Sequence, residues 1–249
     1  MSNLFWLTDE QMSRLQPCFP KSHGKPRVDD RRVLSGIIFI NRNGLRWYDT
    51  PCEYGPPKTL CNLWKLWRDM GGIMTGLAAE GTDRKTIMID STYLKAHRTA
   101  SSLRLKKGGR GRLIGRTKGG MNTKLHAVTD SLGRLIRFFI SAGQVSDYTG
   151  ARALVNSLPL ADWLLADRGY DADWFREAPK DLGMKSRIPG RKSRDKPIRY
   201  DKRRYKRRNR IEFMFGRLKD WRCVATRYDR YPKVFLSAIV LAATVLSWM

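Results

Sequence analysis

Two short apolar runs, each closed by an aspartate, set the tightest limit on how this chain can fold. Thr86 to Ile89 leads into Asp90, and Trp163 to Ala166 leads into Asp167. A near-continuous apolar run fits a strand covered on both faces, so the chain needs a sheet with helices packed on either side. A carboxylate at the edge of such a strand requires a partner. Aspartate is also an ordinary turn former and helix cap in that position, so neither residue alone defines a site.

The rhythm around the two runs is that of a mixed α/β domain. KLHAVTDSLGRLIRFFISAG reads as an antiparallel hairpin around the turn DSLG. Helices fit Tyr148–Ser157 and Asp173–Leu182, and a last strand fits Met184–Ile188. The order is βββαβαβ, followed by two long helices. No internal repeat is visible.

Before residue 80 the periodicity is helical. Thr8 or Asp9 can cap a helix that runs to Leu15 and stops at Pro17 and Pro20. A second helix fits Asp29–Ile40, with Val33, Ile37 and Ile40 on one face, and Asn41 to Gly44 as its stop. A third fits Thr59–Met70, where Leu60, Leu63, Trp64 and Trp67 make an apolar stripe and leave Asn62, Lys65 and Arg68 away from it. Residues 1–80 are therefore a small all-α region, either a helix-turn-helix-like reader of DNA or an ordinary three-helix bundle with a solvated face. Residues 81–249 form the α/β domain.

Lys and Arg number 49 against 23 Asp and Glu, a net charge of +26 that repels itself unless a polyanion binds. Nucleic acid is the first expectation; a ribosomal-type structural protein and an anionic membrane surface are the others. Between Lys95 and Lys124 there are ten Lys or Arg and no acid, threaded through glycines as LKKGGRGRLIGRTKGG. That loop suits phosphates but lacks the Gly-Lys-Thr of a nucleotide-binding loop. Cys18, Cys52, Cys61 and Cys223 form no CxxC pair, which points to a reducing cytoplasm, and His23, His97 and His126 are too scattered to complete a zinc set with them. Met1 to Leu15 already holds Asp9, Glu10 and Arg14, unlike a secretion signal. The uncharged run Val234–Met249 is shorter than the ~20 residues of a membrane span, so it reads as a buried helix starting after Pro232, and no membrane is expected as a partner.

Glu212 is the only acid between Lys202 and Lys219. At ~100° per residue, Tyr205, Arg208, Glu212 and Lys219 share one face of a helix, while Ile211, Met214, Leu218 and Trp221 form an apolar stripe that can seat it on a sheet. A solvated basic helix with one compensating acid is the plain reading. Asp90, Asp167 and Glu212 together suit two Mg²⁺ ions, with Mn²⁺ able to substitute: hard cations take oxygen ligands, and two of them ~4 Å apart serve phosphodiester chemistry.

YKRRNRIEFMFGRLK fits the Y-x2-R-x3-E-x6-K signature of bacterial insertion-sequence transposases with a DDE triad, through Tyr205, Arg208, Glu212 and Lys219. MIDSTYLKAHR around Asp90 and LLADRGYD around Asp167 resemble the two aspartate motifs of the same family, in the group typified by insertion sequence five. The resemblance extends over nearly the whole chain, WYDTP included. It implies a ribonuclease-H-like catalytic domain and an Asp90, Asp167, Glu212 triad that binds Mg²⁺, with Asp90 bridging. It also implies cleavage and joining of double-stranded DNA at terminal inverted repeats, transfer to target DNA, and a homodimer on DNA. The 45 residues from Asp167 to Glu212 leave no room for a large inserted domain. Arg208 and Lys219 are expected at phosphates, and Tyr205 either stacks on an unpaired base or packs at the helix start. Asn62, Lys65 and Arg68 are the candidates for reading the repeat, since Asn and Arg suit adenine and guanine edges. Asp171 is a weaker metal candidate and fits better as a cap of the next helix; the part of His97 is open. The alternative function is a transposase-derived DNA-binding protein that no longer catalyses.

Overall fold

The structure, a computed structural model, describes residues 4–15, 28–67, 85–102, 111–194 and 197–248. Its centre is strand β1 (Thr86–Ala96), which runs well past the apolar segment that announces it. The extension holds because β3 (Gly120–Thr129) pairs with it antiparallel from Met88↔Thr129 to Lys95↔Asn122, while Leu94 still points into the core. β2 (Gly115–Thr117) and β4 (Leu135–Ala142) also pair antiparallel with β3. Gly133, at φ 84°, makes the turn of the predicted hairpin, and the Asp130 carboxylate accepts the N–H groups of Leu132 and Arg134 there.

β5 (Trp163–Ala166) lies parallel to β1, and β6 (Lys185–Arg187) parallel to β5. The two-residue β7 (Thr226–Arg227) pairs with the far end of β1. The main order is β4-β3-β1-β5-β6 in a seven-stranded sheet, three antiparallel strands continued by parallel ones. This is the ribonuclease-H-like arrangement. On one face Ile87, Ile89, Val128, Leu164 and Ala166 pack against α4 (Asp147–Val155) and α5 (Asp173–Asp181). Ser146 caps α4 by accepting the Thr149 N–H at 3.1 Å, so this helix starts one residue before the predicted Tyr148.

The other face carries Met88, Leu94, Leu125 and Leu165 and is covered by α6 (Asn209–Lys219) and α7 (Pro232–Trp248). The expected apolar stripe of Ile211, Met214, Leu218 and Trp221 is buried there. One long helix from Lys202 does not form. A helical turn at Lys202–Tyr205 and a 3-10 turn at Lys206–Arg208 precede α6, with Asp201 capping the first by accepting the Arg204 N–H at 3.0 Å. Phe235, Ala238, Ile239 and Ala242 of α7 are buried, as the terminal-helix reading requires, and among the described residues no helix is long and apolar enough to cross a membrane.

Among the described residues before 68 there are three α-helices. α1 (Asp9–Leu15) begins with a reciprocal cap between Thr8 and Gln11. α2 (Asp30–Asn43) is capped by Asp29 and ended by Gly44 at φ 67°. α3 (Pro57–Trp67) starts two residues before the predicted Thr59, because Pro57 has no N–H to leave unpaired in a first turn; Arg68 to Met70 lie outside the described residues. The segment from Gly44 to Pro56 joins α2 to α3 through two 3-10 turns, a longer link than the three or four residues of a helix-turn-helix. Leu7, Ile37, Leu60 and Trp64 belong to the same core as Leu218, Phe235 and Ile239.

Candidate active site

The parallel pairing of β1 and β5 ends at Ile89↔Ala166, and the next step of that register sets Asp90 beside Asp167. Asp167 thus stands at the carboxyl end of β5, and Asp90 stands mid-β1 where its parallel pairing stops, the place where open α/β sheets form their crevices. Asp167 caps the 3-10 turn Arg168–Tyr170 and accepts the Gly169 N–H at 2.6 Å. Asp90 shares its face of β1 with Met88 and Leu94, the face that α6 covers. Arg208, at the end of the 3-10 turn, donates from Nη2 to Asp90 Oδ2 at 2.6 Å and from Nη1 to Glu212 Oε1 at 2.7 Å. One guanidinium therefore links a carboxylate on the central strand to one on a late helix.

Burial pushes the Asp90 carboxyl up to about 6; Arg208 opposes that shift, and the like charges of Asp167 and Asp147 add to it. Burial also works against the charge on Arg208, but Asp90, Tyr205, Asp167 and Glu212 outweigh it and raise its pKa. Lys219 donates from Nζ to Thr92 Oγ1 at 2.7 Å, and burial lowers its pKa. Thr92 is two residues along β1 from Asp90, so Arg208 and Lys219 line one side of the strand.

Among the described residues no three Asp, Glu, His or Cys side chains are close enough in this arrangement to hold an ion. Arg208 holds the space between Asp90 and Glu212. The donor set still fits a hard divalent cation, because every candidate ligand is a carboxylate oxygen and the position between them demands positive charge. The Tyr170 hydroxyl is buried near Ser91, within the field of Asp90, Asp147 and Asp167, and meets no partner at hydrogen-bonding distance.

The remaining predicted residues fall elsewhere. Tyr205 is half-buried, its ring edge-on to Tyr200 at 5.4 Å between centroids. Asn62 and Lys65 are exposed on α3 and line, with Arg46, Tyr48, Lys58 and Tyr228, a cleft of about 790 Å³. Arg68 lies outside the described residues, as does the 103–110 part of the basic loop. Asp171 does not cap α5, whose cap position is Ala172; its carboxylate pairs with Arg176 and Arg194, each at 2.8 Å, and accepts the Arg191 N–H at 2.7 Å. Three donors hold it better than one helix end could. His97 caps the turn Arg98–Ser101 and packs its ring against Tyr228. Asp147, which sequence reasoning passed over, accepts hydrogen bonds from Ser91 and from buried Lys124. Its signal is Lys124, a cation in the apolar centre of β3 that needs an acid.

Asp90 on the central strand is tied through Arg208 to Glu212 on a late helix and neighbours Asp167 at the end of β5, on a sheet of order β4-β3-β1-β5-β6. Residues 81–247 match the family model described as the transposase DDE domain, and residues 7–75 match that of putative transposases of the IS4/5 family. The chain belongs to the DDE transposases of insertion elements. It is 32% identical to the putative transposase for insertion sequence element IS6501 of Brucella ovis over 130 residues, which are 52% of this chain and 99% of that protein. It is 33% identical to the uncharacterized protein y4sN of Sinorhizobium fredii over 109 residues, 42% of this chain and 87% of that one. A cryo-EM structure of the piggyBac transposase synaptic complex with hairpin DNA matches with a TM-score of 0.48 at 11% identity, covering 97% of this chain and 72% of that chain.

Proposed function

We propose that this transposase binds the terminal inverted repeats of its element and, with Mg²⁺ or Mn²⁺, cuts and joins DNA through Asp90, Asp167 and Glu212. The observation that carries this reading is Arg208 held between Asp90 and Glu212, residues 122 positions apart that have no structural need to meet. Two divalent cations held by the three carboxylates would supply an activated attacking oxygen and charge neutralisation at the leaving one. Arg208 and Lys219 would hold phosphates near the scissile bond, Arg208 giving up Asp90 and Glu212 for the DNA backbone. Tyr205 packs at the start of the helix and is within reach of an unpaired base. Asn62 and Lys65, with Arg68 beyond the described residues, read the repeat, since a centre that recognises phosphates carries no base information. The net charge of +26 is neutralised in part by double-stranded DNA, the repeat ends and the target. Two ends call for two copies of the chain, a homodimer on DNA.

Purified full-length protein, given Mg²⁺ and a duplex bearing the inverted repeat that flanks the reading frame, is expected to nick and join that duplex. Asp90→Ala should abolish both while keeping DNA affinity. An Asp90→Ala protein that still nicks in Mg²⁺ overturns the assignment, and a wild-type protein that binds the repeat yet never cuts it returns the chain to the non-catalytic reading.

A further inference from the structure

The cleft of about 790 Å³ beside α3 has two walls. One comes from α2, α3 and the segment joining them, with Trp47 and Tyr48; the other comes from Tyr228 and Asp229, which follow β7. Its size falls within the ~300–1,000 Å³ of ligand pockets. Arg227 pairs with Ala96, and Asp90 to Ala96 spans about 20 Å of β1, so the cleft is separate from the acidic centre.

Arg227 fixes the second wall. It is fully buried, and among the described residues its guanidinium is bonded to no carboxylate. It donates instead to the carbonyls of Asp229 at 2.9 Å and Arg230 at 3.1 Å, and to Thr123 Oγ1 at 2.9 Å. Burying a charge in this way is costly, and what it secures is the path of the chain at Tyr228–Arg230. The His97 ring backs Tyr228 at 4.9 Å between centroids.

Among the described residues nothing donates to the Asp229 carboxylate, and burial pushes the group up to about 6 against the pull of Arg227. The carboxylate repels phosphate, so its oxygens call for N–H donors from a ligand. Lys58 and Lys65, exposed on α3 at the same cleft, have no ion-pair partner among the described residues and supply the opposite charge. Tyr48 is 90% exposed and Tyr228 50%, flat rings open to stacking. The ligand that answers all three features is planar, donates two adjacent N–H groups and carries a phosphate. Guanine alone among the bases sets two donors, N1–H and N2–H, side by side. Adenine and cytosine set one amino group beside an acceptor nitrogen, which a carboxylate repels.

We propose that this cleft binds an unpaired guanine nucleotide of a DNA strand: Asp229 accepts N1–H and N2–H, Tyr48 and Tyr228 stack on the base, and Lys58 meets the phosphate. The proposal rests on the reading of α3 as a DNA-facing helix and not on the metal triad.

The test is fluorescence anisotropy of the full-length protein, without metal, on labelled oligothymidylates that differ in one central base: guanine, adenine or hypoxanthine. Guanine should bind about tenfold or more tighter than adenine, and hypoxanthine, which keeps N1–H but lacks the amino group, should fall between them. Asp229→Asn should remove the preference for guanine. Tyr48→Ala, at an exposed position, should weaken all three strands alike, and it keeps the test open if a change beside buried Arg227 fails to fold. Equal affinity for the guanine and adenine strands, a preference that survives in folded Asp229→Asn, or unchanged binding by Tyr48→Ala each overturns the site. Titration with guanosine monophosphate separates the strand from a free nucleotide: a protein that binds the mononucleotide and shows no guanine preference among the strands overturns the DNA occupant. If no strand binds at all, the DNA-facing reading of α3 fails and this inference falls with it.

Discussion

Asp90 and Arg208 form a pair whose worth depends on what else is present. Removing one partner of a buried ion pair leaves the other charge uncompensated, at a cost of about 3–5 kcal/mol. Arg208→Gln should therefore lower the melting temperature in EDTA. The vacated carboxylates then bind a cation without competition, so Mn²⁺ should raise the melting temperature of Arg208→Gln by more than it raises that of the wild type. An equal or smaller rise would mean that Arg208 does not stand where the ion goes. Asp90 also sets a pH limit. Its carboxyl is pushed up to about 6, and only the ionised form binds a cation, so protons compete as pH falls through that value. Mn²⁺ affinity is expected to be flat above about pH 7 and to drop by nearly tenfold per pH unit below about 6; an affinity unchanged down to pH 5 would contradict the burial of Asp90.

At the scale of elements, α4 is held to the sheet by a contact with no slack. Gly150 faces the buried His126 of β3, and a Cβ at that position would lie 2.1 Å from His126 Nδ1. His126 cannot yield, since its ring stacks on Phe139 at 4.6 Å and its Nε2 is 2.8 Å from Ser141 Oγ. Gly150→Ala should cost about 1–3 kcal/mol, measured by chemical denaturation, and should push out α4 with Asp147 at its start. A neutral Gly150→Ala would mean that the helix can lift freely. The basic turn before α6 is tied down by other means, with the Arg187 and Arg204 guanidinium groups against the Trp163 ring at 4.4 and 4.0 Å. These ties show what a sequence reveals. The strand runs were readable because unbroken apolar residues fit little else, and Glu212 because it is the one acid in a basic helix. The 3-10 turn at Lys206–Arg208 was not, since its residues are ordinary helix formers and only the packing of α6 fixes the change of pitch. Asp147 was hidden by its position, because an acid in the first turn after a capping serine has a sufficient local reason to be there.

For the whole molecule the main fact is that the N-terminal helices and the sheet share one core. Ile37 of α2 is fully buried in the cluster that also holds Met88 of β1 and Ile239 of α7. Ile37→Ala should cost about 2–5 kcal/mol, and circular dichroism and Mn²⁺-dependent nicking should fail together in one shifted transition. Two transitions, with nicking unaffected by the first, would show that the helices fold apart from the sheet. Removal of residues 1–80 as a test of repeat recognition would strip Leu7, Ile37 and Leu60 from that core. Substitution of Asn62 and Lys65, both exposed, is the cleaner experiment.

The shared core also governs how the protein comes off the ribosome. α2 packs early against α3 and Tyr54, but α7, which completes its core, is translated roughly 190 residues later. At ~5–20 residues per second, the part of α2 that meets α7 waits about ten seconds or more for its cover. During that interval part of the apolar face of α2 stays open, the kind of surface chaperones and proteases act on. Chains lost during that wait would lower the yield of folded protein before any DNA is touched.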